Sequence, residues 1–132
     1  MTNRTLKKIL LVEDEPDIQI IAKMALEMMG GFTVQVSNCG KDALLLAPTF
    51  LPDLILMDVM MPGLDGPSTL KELRKLSDLA VTPIIFMTAK VQKQEVEQYK
   101  SLGAVDVIAK PFDPMSLSQN ILNIWNGLKL QD

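Results

Sequence analysis

Three short, uninterrupted apolar runs constrain this chain more than any other feature: Ile9-Leu10-Leu11-Val12, Leu54-Ile55-Leu56-Met57 and Ile84-Ile85-Phe86-Met87. Each is strand-length and shows no polar–apolar alternation, so each reads as a β-strand covered on both faces. Each also stops abruptly on polar residues: Glu13-Asp14, then Asp58, then Thr88. Between them lie segments with helical periodicity. Ile18, Ile21, Ala22, Ala25, Leu26 and Met29 form one such stripe, which starts near Pro16 and is stopped by Gly30-Gly31. Asp14 or Glu15 could cap that helix.

The remaining elements follow the same logic. Phe32, Val34 and Val36 alternate with Thr33, Gln35 and Ser37, the pattern of an edge strand with one wetter face. A short helix over 41–46 is expected to end at Pro48. Gly66-Pro67 opens a helix with Leu70, Leu73 and Leu76 on its stripe. A polar helix over roughly 91–102 has only Val96, Tyr99 and Leu102 to anchor it, and Gly103 closes it. Residues 105–109 form a short fifth strand ending at Lys110-Pro111. Asp113-Pro114 starts a last helix that runs to about Leu128, with Leu117, Ile121, Ile124 and Leu128 on one stripe. Leu122, Trp125 and Met115 widen its apolar arc, either as core or as a partner surface.

Five strands alternating with five helices predict an α/β fold, a parallel sheet with helices on both faces. Residues 1–6 read as a disordered tail, 7–128 as one domain and 129–132 as a second tail. The net charge of -3 offers no basic face for non-specific nucleic-acid binding. No apolar run is long enough to span a bilayer, and the basic start lacks the apolar segment of a signal peptide. A single cysteine, Cys39, excludes an internal disulfide and fits a reducing, cytoplasmic setting. With no histidine, no imidazole base or ligand is available in the chain.

Polar residues gather at one end of this expected sheet. Glu13, Asp14, Asp58, Thr88 and Lys110 each stand at or just beyond the C-terminal end of a strand, where open parallel sheets bind ligands. Three carboxylates in one crevice repel one another unless a cation joins them or their pKa values rise. Oxygen ligands alone suit a hard ion such as Mg²⁺, which is commonly shared with a phosphate oxygen. Lysine and threonine can hold phosphoryl oxygens. The set therefore has the parts for phosphoryl transfer to a carboxylate, with Asp58 as nucleophile.

These residues resemble the receiver domain of two-component response regulators over roughly residues 7–128. The motifs are Glu13-Asp14, the run from Met57-Asp58 through Pro62-Gly63 to Gly66, Thr88-Ala89, and Lys110-Pro111-Phe112. The resemblance implies a flavodoxin-like sheet of order 2-1-3-4-5. It implies Mg²⁺ held by Glu13, Asp14, Asp58 and the backbone carbonyl of Met60, with Thr88 and Lys110 on the phosphoryl group. It further implies that Asp58 takes phosphate from the phosphohistidine of a sensor histidine kinase or phosphotransfer protein, in a chain that catalyses its own transfer and slow hydrolysis. One position departs from the family: Val107 stands where a switching aromatic is usual. A weaker switch, or one using another element, is expected. The partner face is expected on the last two helices and the fifth strand, in a monomer or weak dimer. A phosphate-independent scaffold on the same fold is the second function class considered; a metabolic enzyme is disfavoured, because no P-loop or dinucleotide glycine motif is present.

Overall fold

In the computed structural model, which describes residues 5–129, five parallel strands form one sheet in the order β2-β1-β3-β4-β5. They are β1 (Lys8–Val12), β2 (Thr33–Ser37), β3 (Leu54–Asp58), β4 (Ile84–Thr88) and β5 (Asp106–Ala109). The helices between and after them are α1 (Pro16–Gly30), α2 (Gly40–Phe50), α3 (Gly66–Arg74), α4 (Lys93–Leu102) and α5 (Leu117–Lys129), with a single 3-10 turn at Ser77–Leu79. The fold is thus the parallel α/β sheet that the sequence pattern predicts, in the flavodoxin-like order that the family resemblance implies.

Side chains alternate across each strand, so the sheet divides the interior into two cores. Ile9, Leu11, Leu56, Ile85 and Met87 pack with Leu26 of α1 and with Leu117, Ile121 and Trp125 of α5. Leu10, Val12, Ile55, Met57, Ile84 and Phe86 face the other way, onto Ala43 and Ala47 of α2 and Leu70 and Leu73 of α3. Every residue of β3 and β4 is buried. That is why their sequences are continuous rather than alternating.

Register aligns the strand ends. Val12 pairs with both Ser37 and Met57, Asp58 pairs with Met87, and Thr88 pairs with Ala109. Ladder hydrogen bonds reach one residue further: Glu13 N–H to the Ser37 carbonyl, Val59 N–H to Met87 and Lys110 N–H to Thr88. The residues just past each strand are therefore held almost as firmly as the strands.

Several local expectations change. Helix α2 continues through Pro48 to Phe50. Proline removes only one intrahelical bond in what is nearly the last turn, and burying Ala47 and packing Phe50 onto the second core outweigh that loss. Helix α4 starts at Lys93 rather than 91, and α5 starts at Leu117 after a turn in which Asp113 Oδ1 accepts the Met115 N–H. Ile21 and Met29, expected in the core, are exposed. Trp125 and Leu122 are core residues, not a surface arc: Trp125 is only 5% exposed and Leu122 packs against the same core. Most of the expected tail 1–6 lies outside the described residues, as do residues 130–132. Leu6 does not belong to a tail, because it is buried as part of the first core.

Candidate functional site

Strand β3 delivers Asp58 to the sheet's C-terminal edge with 4% of its surface exposed. Burying a carboxylate this way is costly without a partner. Lys110, just past β5, supplies one: its Nζ lies 3.2 Å from Asp58 Oδ2 and 3.1 Å from Glu13 Oε1. One ammonium from just beyond β5 thus bridges two carboxylates that come from the adjacent strands β1 and β3.

Glu13 has no exposed surface. Its Oε2 accepts the Glu15 N–H at 3.1 Å, and its own carbonyl accepts from Gln19 Nε2 at 2.6 Å. Burial is the largest influence on its carboxyl and raises its pKa. The Asp58 charge adds to that, while the Glu15 N–H and Lys110 pull it down, leaving a pKa of about 7 against an ordinary 4.5. Burial alone would lower the Lys110 ammonium, but Glu13 and Asp58 outweigh it and hold the group above its ordinary value.

Asp14 completes the acidic cluster. Ligand oxygens of Glu13, Asp14 and Asp58 all lie within 4.8 Å of one another, and Asp14 Oδ1 is buried with no hydrogen-bond partner. A buried carboxylate oxygen left unmatched beside two further acids is out of balance unless a cation joins it. The donor set is oxygen only, which fits a hard divalent ion such as Mg²⁺. Neither of the expected caps is at work here: Glu15 occupies the N-cap position of α1 but makes no side-chain cap bond. Asp14 serves the crevice rather than the helix.

Thr88 ends β4, nearly buried, and its Oγ1 accepts the Lys90 N–H at 3.1 Å. The Asp58–Met87 register puts it at the end of the strand next to Asp58. Met60 lies in the loop two residues beyond Asp58, with its side chain 73% exposed. All the expected side chains therefore come to one end of the sheet, where Glu13, Asp14 and Asp58 cluster and Lys110 contacts Glu13 and Asp58.

Two supporting residues escape a reading of the sequence. Gln19 ties the Glu13 backbone to Asn38 Oδ1 at 2.8 Å, bracing β1 against the loop after β2. Nothing singles it out in the sequence, because the helix also carries Asp17, Lys23 and Glu27 as polar residues. Gly66 is the other. A β-carbon there would meet the Asp58 carbonyl oxygen at 2.6 Å and Val59 Cα at 2.9 Å. The loop after β3 can fold back onto the strand end only if position 66 has no side chain. Pro62-Gly63 marks that loop in the sequence, but nothing there reveals the close approach.

Three comparisons bear on this geometry. The family model for the response regulator receiver domain matches residues 9–122. Among curated relatives, the probable transcriptional regulator ycf27 of Guillardia theta is 40% identical over 117 residues, 89% of this chain and 44% of that protein. The chain thus spans under half the length of that relative. Among solved structures, chemotaxis protein CheY4 of Vibrio cholerae superposes with a TM-score of 0.83 at 28% identity, covering 91% of this chain and 99% of that one. The receiver domain of sensor histidine kinase PA1611 from Pseudomonas aeruginosa PAO1, solved with a magnesium ion coordinated in its active-site cleft, superposes with a TM-score of 0.79 at 36% identity. It covers 93% of this chain, which covers 99% of it.

Proposed function

The chain belongs to the response-regulator receiver family of two-component signalling, and on that premise we propose that it is a switch operated by phosphorylation of Asp58. It is a signalling protein, not a metabolic enzyme. The observation that carries the reading is the contact of Lys110 Nζ with both Glu13 Oε1 and Asp58 Oδ2, beside the unpartnered Asp14 oxygen. This arrangement suits a site that takes up a metal and a phosphoryl group together.

The donor is the phosphohistidine of a sensor histidine kinase or phosphotransfer protein. An Asp58 oxygen attacks phosphorus, an O–P bond forms, and the P–N bond breaks with its electron pair returning to the donor imidazole. Glu13, Asp14, Asp58 and the Met60 carbonyl are the residues that would hold Mg²⁺, which supplies charge neutralisation for the phosphoryl oxygens. Lys110 leaves its carboxylate contacts to bind one phosphoryl oxygen as a point charge. The Thr88 hydroxyl donates to another, while its oxygen still accepts the Lys90 N–H. Positioning and charge neutralisation suffice for this chemistry, so the chain catalyses its own transfer without a histidine base. Slow hydrolysis of the acyl phosphate by the same groups resets the switch.

The receiver unit spans 7–128, and its output runs through the last two helices and the fifth strand to a downstream protein. No helix among the described residues is long and apolar enough to cross a membrane. We place the chain in the cytoplasm as a monomer or weak dimer that touches no nucleic acid itself.

The test is incubation with Mg²⁺ and a small-molecule phosphodonor, read by intact mass. One added phosphoryl group is expected, and none in Asp58→Asn. A mass increase that survives Asp58→Asn, or no increase while a control receiver is labelled, refutes the reading.

A further inference from the structure

Helix α4 is the loosest of the helices and has one aromatic anchor. None of its residues is buried. Its Tyr99 ring is half-buried against the second core and meets Phe86 edge-on, with centroids 5.4 Å apart and planes at 77°. Phe86 is fully buried and sits on β4 two residues before Thr88, so both side chains leave the same face of the sheet.

The Phe86 ring also comes near the Asp58 end of β3. A β-carbon on Gly66 would lie 3.2 Å from Phe86 Cε1 and 2.6 Å from the Asp58 carbonyl oxygen, so Gly66 is packed against both. Gly66 N–H also donates to the Val59 carbonyl at 2.9 Å. A path of close neighbours therefore runs from the Asp58 backbone past Gly66 to Phe86, and from Phe86 to Tyr99 and α4. Val107, half-buried on the same core, brings no ring to this path.

From this path we infer that Tyr99, through its edge contact with Phe86, is the latch by which phosphorylation of Asp58 releases α4. The inference rests on the phospho-acceptor reading and adds the moving part. In the unphosphorylated chain the ring pair holds α4 down. Drawing Thr88 toward a phosphoryl group shifts the end of β4, tilts Phe86 and loosens Tyr99. No residue of α4 is fully buried, and its other ties include the half-buried Val96 and a 3.9 Å Lys100–Asp106 pair, so loss of the ring contact loosens the helix and remodels the surface it shares with β5.

The chain has one tyrosine, so 3-fluorotyrosine reports Tyr99 alone. Intact mass and fluorine NMR are recorded together, with Mg²⁺ and the phosphodonor, alongside amide exchange over 93–102. Phosphorylation is expected to move the fluorine resonance and speed α4 exchange. In Tyr99→Leu the phosphoryl group still adds, but α4 exchange is roughly 2- to 10-fold faster beforehand, the size expected for losing an aromatic pair, and phosphorylation changes it no further. Tyr99→Phe keeps the ring and behaves as the parent. A phosphorylated chain with an unmoved fluorine resonance overturns the latch, whether or not Tyr99→Leu folds. So does a Tyr99→Leu chain whose α4 still responds. A parent chain that takes up no phosphoryl group refutes the phospho-acceptor reading itself.

Discussion

A carboxyl with no exposed surface and a second carboxylate for a neighbour holds its proton to higher pH, and Glu13 does so to about 7. In the unfolded chain it would release that proton near 4.5. Between those values the folded state binds more protons than the unfolded one, so this residue's contribution to stability falls as pH rises. Without metal, the stability of the parent relative to Glu13→Gln should drop between pH 4.5 and 7, by on the order of 3 kcal/mol at most. Urea unfolding of both chains across that range is the check, and a relative stability that climbs with pH contradicts it. Binding of Mg²⁺ needs the ionised carboxylate, so affinity should rise up to about pH 7 and then level off. Below that pH, titration in buffers of different ionisation enthalpy should detect protons released. At this scale the sequence was highly informative: Asp58 and Thr88 were legible because an apolar run ending on a polar side chain marks a crevice, and Lys110 because it follows a short fifth strand that ends at Lys110-Pro111. Gln19 was not, since a bond to a backbone carbonyl leaves no pattern in the chain.

Elements were legible where periodicity alone decides them and less so where tertiary packing does. Strands β1, β3 and β4 needed no context, because four apolar residues in a row have few other uses. Helix α2 outran its proline because packing of Ala47 and Phe50 lies beyond what propensity can see. Helix α1 shows the converse: its apolar arc is wider than the face that α5 and the sheet cover, so Ile21, Met24 and Met28 stay exposed. Helix α3 offers two tests. Its N-cap Asp65 accepts the Ser68 N–H at 2.8 Å, and Asp65→Ala should cost about 1 kcal/mol in urea unfolding with phosphoryl uptake largely intact. Gly66→Ala is expected to be worse on both counts. Its new methyl faces backbone rather than a yielding side chain. A loss of about 1–3 kcal/mol is expected from overpacking, together with slower phosphoryl uptake as the end of β3 is displaced. Equal uptake by the two variants would mean that the approach of Gly66 to Asp58 does not position the acceptor.

On the scale of the whole molecule, the crevice joins parts of the chain that are far apart in sequence. Glu13 and Asp14 follow β1, Asp58 ends β3 and Lys110 follows β5. The alternation of strands and helices was enough to anticipate this meeting, because right-handed crossovers leave every strand of such a sheet pointing the same way. A ligand that grips β1 and β3 together binds the folded chain and not the unfolded one, so it must stabilise the whole domain. At a hundredfold excess over its dissociation constant, Mg²⁺ should add about 2.7 kcal/mol, raising Tm by roughly 10 °C. Asp14→Asn separates this effect from ordinary stability. The Asp14 Oδ1 atom has no partner to lose, and removing its charge relieves repulsion among the three acids. The metal-free variant should therefore melt no lower than the parent, yet gain little from Mg²⁺. A metal-free Asp14→Asn chain that melts well below the parent would mean that Asp14 braces the fold. Undiminished stabilisation by Mg²⁺ would mean that the ion binds elsewhere.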